Sequence, residues 1–319
     1  MSISNRNGRA LEFAYLLTLT AVSKMNPPVT IAVEENSSFY AAKSAWEATP
    51  IDMQKTFLLS ATAGINAILE AEPLILAADK DIINIRIQPD SAGIDGDVRD
   101  ILIIRDGVKW EIGLSVKNNH FAVKHSRLSR KLDFGDKWFG VKCSKQYWDD
   151  IAPIFDYLSD CKNNRLKWSE LPSKEDDVYI PLLNAFLSEV NRIYGAHGEV
   201  LAKSMVEYLI GKYDFYKTIG VNNKQLTRVQ PYNLRGTLNK ASERQNPKLI
   251  IPISSLPTRI IGFGFKPNST NTVEVFMDEG WQFSFRIHNA STKVETSLKF
   301  DIQIIGMPTS IICVDYRWD

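Results

Sequence analysis

The chain has 319 residues, 44% of them apolar, with 38 Lys and Arg against 37 Asp and Glu for a net charge of +1. That is apolar material enough for a globular core in one large domain or two ordinary ones. The longest apolar runs, "EFAYLLTLTAV" and "LLSATAGINAIL", are interrupted by polar residues and too short to span a bilayer, and the N-terminus lacks the pattern of a cleaved leader. A soluble, unprocessed, cytoplasmic protein with no membrane partner is expected. Cys143, Cys161 and Cys313 have no metal-type spacing and are expected as buried, reduced thiols.

The charge is segregated. Residues 31–106 hold thirteen acids against six Lys and Arg, residues 117–145 eight bases against Asp133 and Asp136, and residues 217–266 nine bases against Glu243 alone. Two basic tracts around an acidic one suit a polyanion, although solvated faces would show the same count.

In chain order, the first helix is signalled around "SNRNGRALEFAYLLTLTAVSKMNPP", with Asn7 as its cap and Pro27 and Pro28 beyond its end. Residues 39–71 read as helical with a fresh start at Pro50. The period then changes from about 3.6 to 2. Residues 81–89, 97–105 and 108–117 read as three strands, the last two joined by Asp106-Gly107 in a tight two-residue turn. Helical patterns resume over 121–216, broken near "LPSKEDD". Beyond Gly220, runs such as "RIIGFGF", "TVEVFM", "WQFSFRI" and "FDIQIIG" suggest an irregular, mostly β region. The expected organisation is a core over 1–216 with a helical insertion and a mostly β region over 217–319.

With that turn, Asp100 lies opposite Gly113, and Asp100, Glu111, Ser115 and Lys117 project from one side of the sheet while Trp110, Ile112, Leu114 and Val116 project from the other. The glycine leaves room beside Asp100 for a metal ion or a phosphate, or marks only a bulge. Glu12 shares a helix face with Tyr15, Leu16 and Leu19, so its carboxylate needs a buried partner. Carboxylates, a gap and a lysine beside a polyanion-binding surface suit metal-dependent phosphodiester hydrolysis. The acids would hold one or two hard divalent cations, and Lys117 would stabilise charge at phosphorus or help deprotonate water. An ordinary half-exposed hairpin fits the spacing as well.

"NGRALEF" on the first helix, then Asp100, then "SVK" at 115–117, in the order helix, three strands, helix, resembles the PD-(D/E)XK nuclease core: an α/β (α+β) fold with a mixed sheet flanked by helices. The strings "WEIGLSVKNNHFAVKHSRLS" and "WQFSFRIHNASTKVETSLKFDIQIIG" resemble the HaeIII family of type II restriction endonucleases over nearly the whole chain. The resemblance implies double-stranded DNA as substrate, cut with Mg2+ within the palindrome GGCC, and a methyltransferase acting on the same site. Asp100 is then similar to the metal-binding aspartate, Lys117 to the catalytic lysine and Glu12 to a helix ligand, and the Val116 carbonyl would touch the metal. Ser115 departs from the pattern, standing where an acid is called for, and Glu111 or Glu12 would supply the missing charge. A catalytically silent DNA-binding protein on the same fold, or a repair or RNA nuclease of low specificity, are the competing readings.

Guanines are read in the major groove by Arg or Lys. Arg228, Arg235, Arg244, Arg259 and Arg286 are candidates, each of which could equally be a phosphate contact or a surface arginine. Arg286, with His288, Asn289 and Lys293 beside it, is favoured for base readout. Asn118, Asn119 and His120 follow Lys117 and would bind phosphate or cap a helix, capping being favoured for Asn119. Lys124, His125 and Arg127, at the start of that helix, form a DNA-facing edge. A palindrome is most simply read by a homodimer, yet one chain of this size could wrap a four-base site and cut the strands in turn.

Overall fold

Helix α1 (Ile3–Met25) begins upstream of the expected cap, so Asn7 lies inside it. Pro27 and Pro28 fall outside the described residues, which in this computed structural model are 3–25, 29–77, 82–89, 96–120 and 123–318. The apolar stripe of α1, with Leu11, Tyr15, Leu16 and Leu19, is buried. It packs beside α2 (Ser37–Glu47) and α3 (Ile51–Ala71), the latter starting directly after Pro50 as expected. Gly64 of α3 lets the helices approach, since a Cβ there would sit 2.4 Å from the Tyr15 hydroxyl.

The chain divides into two compact units. One comprises 1–121, 211–254 and 309–319, the other 122–210 and 255–308. The expected boundary at 216 does not follow this division, because it would cut through the strand Phe215–Val221, which belongs to the first unit's sheet.

That sheet is formed by β1 (Ile31–Val33), β2 (Ile83–Ile87), β3 (Ile101–Arg105), β4 (Trp110–Asn118), β6 (Phe215–Val221), β7 (Leu226–Tyr232) and β12 (Val314–Arg317), in that spatial order. It is mixed, with β1–β2 and β4–β6 parallel and the other pairs antiparallel. Ile83, Ile85, Ile87, Ile112 and Leu114 are fully buried, as the period of two requires.

The β3–β4 register differs from the expected one. Asp106–Val108 form a single 3-10 turn, Lys109 adopts a left-handed conformation, and Arg105 pairs with Trp110. The register is thereby displaced by two residues, so Gly113 faces Leu102, and the Asp100 amide donates to the Leu114 carbonyl beside Ser115. Faces are unchanged, because an even shift preserves them. The space at Gly113 is filled by protein: a Cβ there would lie 2.0 Å from Cδ of Arg99.

The second unit, described by itself, holds α4 (Phe134–Phe139), α5 (Lys145–Asn163), α6 (Ile180–His197) and α7 (Glu199–Ile210). Its antiparallel sheet runs in the order β5 (Lys124–Ser129), β11 (Ser297–Gly306), β10 (Gln282–His288), β9 (Thr272–Met277) and β8 (Ile260–Phe265). The strand β5 corrects the helix expected from 121. "KHSRLS" buries Ser126 and Leu128 in alternation and pairs with β11 from Lys124 to Ser129. An aromatic core of Trp138, Phe186, Phe285 and Phe300 backs this sheet. Cys143 and Cys161 are buried, whereas Cys313 is exposed. Among the described residues no helix is long and apolar enough to cross a membrane.

Candidate active site

Asp100 sits at the entry to β3, and Lys117 is the last but one residue of β4. Lys117 Nζ lies 2.9 Å from Oδ2 of Asp100, and the Val116 amide donates to the same oxygen at 2.6 Å. The strand that carries the lysine thus also fixes the orientation of the carboxylate. Glu12 reaches this pair from α1. Its side chain is only 12% exposed and accepts from Arg9 Nη1 at 3.2 Å. Burial, and then the Asp100 charge, push the Glu12 carboxyl up to about 8, against the opposing pull of Arg9 and Lys117. The buried Glu12 carboxyl and the Asp100 carboxylate beside it offer hard oxygen atoms, a donor set that fits a hard divalent cation.

Glu111 stands elsewhere. It lies four residues before Ser115, roughly 13 Å along an extended strand at about 3.3 Å per residue. There it accepts from Arg99 Nη1 at 2.6 Å and borders a cavity of about 900 Å³ with Tyr213 and Arg235. Of the two acids weighed as substitutes for the one missing at Ser115, Glu12 is the one in the electrostatic reach of Asp100 and Lys117. Ser115 itself is 4% exposed.

Sequence reasoning missed two residues here. Arg9 pairs with Glu12, and its spacing of three residues on a helix was a readable signal. Lys217 on β6 pairs in register with Ser115 and is 4% exposed; burial and then Lys117 push its ammonium down to about 7, with Asp100 opposing. Nothing in "YDFYKTI" announces this, because it depends on β6 lying beside β4.

Asn118 closes β4. Asn119 adopts a left-handed conformation, and its Oδ1 accepts from the Asn222 amide at 3.0 Å, so it pins the β6–β7 turn and caps no helix. His120 is exposed. Arg228 forms a bidentate pair with Asp315 at 2.8 Å, Arg235 donates to the Lys212 carbonyl at 2.6 Å, and Arg244 and Arg259 are exposed.

In the second unit the candidates converge on one sheet face. Register aligns His125, Asp301 and Arg286 across β5, β11 and β10, and next to them Arg127, Lys299 and His288. Lys299 and Asp301 were not singled out from sequence. Arg286 is exposed and 3.2 Å from Asp301, and His125 lies 3.6 Å from the same carboxylate. Burial and the neighbouring Arg286 and Lys299 hold His288 below the usual histidine range. Lys124 donates to the Tyr208 carbonyl at 2.8 Å and covers that ring. The Asn289 side chain is engaged in its own turn with Ser291, Lys293 and Glu295, and Lys293 is exposed.

The Glu12 environment has a measurable consequence. A carboxyl raised in the folded state holds its proton there more tightly than in the unfolded chain, so stability is fullest below about 4.5 and is lost as pH rises towards 8. Without divalent ions, Glu12→Gln is expected to unfold at a higher temperature than wild type at pH 8.5, the gap closing near pH 5. Melting curves in a chelator check this, and a gap that widened on acidification would contradict it.

A mixed sheet brings an aspartate and a lysine together at one strand end, with a helix carboxylate beside them, in a chain whose relatives are type II restriction endonucleases, the site-specific deoxyribonucleases. A family model described as "HaeIII restriction endonuclease" matches residues 8–308, and the chain belongs to that family. It is 51% identical over 317 residues, 99% of this chain and 98% of the relative, to "Type II restriction enzyme HaeIII" of Haemophilus aegyptius. No solved structure matches the chain.

Proposed function

We propose that this restriction endonuclease cuts both strands of double-stranded DNA within GGCC by Mg2+-dependent hydrolysis in the cytoplasm. The observation that carries the reading is the cluster in which Lys117 and the Val116 amide converge on Asp100, with Glu12 close enough for the Asp100 charge to raise it. Asp100, Glu12 and the Val116 carbonyl would hold one or two divalent ions. When bound, the ion supplies Lewis acidity at the phosphate and lowers the pKa of water. Lys117 contributes a positive charge at the scissile phosphate, Asp100 keeps that ammonium in place, and the Val116 N–H keeps Asp100 in place. Ser115 adds no charge. Glu111, held by Arg99, shapes the neighbouring cavity and stays outside the ligand set.

DNA is read by the polar face of the second unit's sheet, with Arg286 on guanine and Arg127, Lys299 and Lys293 on phosphates. A homodimer matches the two-fold symmetry of the palindrome, and a methyltransferase protects the same site in the host. The replacement of an acid by Ser115 favours, as a second reading, a catalytically silent DNA-binding protein.

Incubating the protein with a plasmid of known sequence, with Mg2+ and separately with Ca2+, separates the two. Discrete ends inside GGCC with Mg2+ only are expected. Tight site-specific binding with no cleavage would install the silent protein instead. Arg286→Ala is expected to weaken binding to a GGCC duplex by about 1–3 kcal/mol while changing affinity for random DNA little. Equal losses on both would make Arg286 a phosphate contact.

A further inference from the structure

Arg286 of β10 and Asp301 of β11 are direct cross-strand partners, so their side chains leave the same face of the second unit's sheet. Arg127, Lys299, Arg286 and His288 make that face basic, and Asp301 stands among them. A surface that gathers phosphates gains nothing from a carboxylate in its midst, because like charges repel. The ion pair does not account for it either. Arg286 Nη2 lies 3.2 Å from Oδ2 of Asp301 with 57% of the arginine side chain exposed, and a pair so open to water adds little to stability. A carboxylate in this place calls for a donor on the DNA.

The major groove holds such a donor. A G·C pair presents two acceptors there, guanine N7 and O6, and then one donor, the cytosine N4 amino group, whereas an A·T pair presents acceptor, donor, acceptor. The Arg286 guanidinium offers a fork of donors and Asp301 only acceptors, side by side by register, which complements a G·C pair and not A·T. A two-stranded ribbon such as β10–β11 is of the size that the groove admits. At the sheet edge, Gly262 and Gly264 of β8 share this face through their pairing with Phe276 and Glu274. Nothing lies within 4 Å of where their Cβ atoms would stand, so the rim is low enough for another backbone to approach.

We propose that Asp301 is a specificity-determining residue that accepts from the N4 amino group of one cytosine while Arg286 donates to the guanine paired with it, so that two register partners read one G·C pair. The inference rests on the reading of this face as the one that selects GGCC. Both contacts can be made at once, since a guanidinium has five N–H donors and a carboxylate two oxygens. Opposite the O4 of a thymine, the carboxylate would meet a second acceptor and lose its partner, which rejects the wrong pair.

The test uses the full-length chain in Ca2+ and short duplexes in which 2-pyrimidinone, a cytosine without its N4 amino group, replaces the outer or the inner cytosine of GGCC on both strands. Wild type is expected to bind one of these duplexes at least about tenfold more weakly than the unmodified site, the loss that a charge-assisted hydrogen bond carries. Asp301→Ala is expected to lose as much on the unmodified site and to bind that modified duplex no worse. Asp301→Asn, which keeps an oxygen to accept from N4, is expected to recover part of the loss together with the sensitivity to the amino group. Were Asp301 only a support for Arg286, the losses from Asp301→Ala and from the missing amino group would multiply. That outcome, or a wild type indifferent to both replacements, would overturn the proposal. Arg286→Ala separates the two levels of failure: a loss confined to GGCC with no dependence on the amino groups fells this inference alone, whereas equal losses on GGCC and random DNA fell the reading of the face as well.

Discussion

Lys117→Ala is expected to cut GGCC at least about two orders of magnitude more slowly than wild type in single-turnover assays, the scale on which one positioned charge acts at a transition state. Its affinity for the same duplex in Ca2+ should change far less, because Lys117 is one cation among many along a DNA-binding surface. The substitution also removes the ammonium 2.9 Å from Asp100, which keeps the Val116 amide as a donor and so keeps its place. The loss should therefore be in chemistry and little in folding. Near-normal cleavage would remove Lys117 from the centre.

Asp100→Asn should be the more damaging change, with cleavage down by about three orders of magnitude, since it removes the charge proposed to hold a cation as well as the partner of Lys117. Two further readouts identify the cause. In wild type, divalent ions should raise the melting temperature, because a ligand that binds only the folded state stabilises it, and in Asp100→Asn this rise should vanish. Without ions, Glu12 should titrate at lower pH in the variant, because the Asp100 charge is one of the two influences that raise it. Persistence of the ion-induced rise would place the cation away from Asp100.

Much of this centre was legible in the sequence, because strand faces follow from a period of two. Asp100, Ser115 and Lys117 could be put on one side of the sheet with the turn misread, since the error was an even number of residues. The turn itself was not legible: Asp106-Gly107 suggests a tight hairpin, and only the structure shows Lys109 bending back in a left-handed conformation. The choice between Glu12 and Glu111 is one of distance, which needs the position of α1 and the Arg99 side chain. The strand β5 was read as helix because "KHSRLS" is too short and polar to show its period, and its partner β11 lies far along the chain. The same non-local pairing hid Lys217 and the sharing of one sheet face by His125 and Arg286, whose segments are distant in sequence.

The parallel pairing of β4 with β6 also governs when the centre can exist during synthesis. Asp100 and Lys117 leave the ribosome long before Lys217, because residues 122–210 of the second unit intervene. At about 5–20 residues per second, that interval lasts roughly 5 to 20 seconds. A chain stopped short of β6 holds an aspartate and a lysine on an unpaired sheet edge, lacking the strand that walls them in. The order of the elements along the gene thus delays assembly of the proposed centre until most of the polypeptide has been made, with strands β8–β11 of the unit proposed to select the site still to follow.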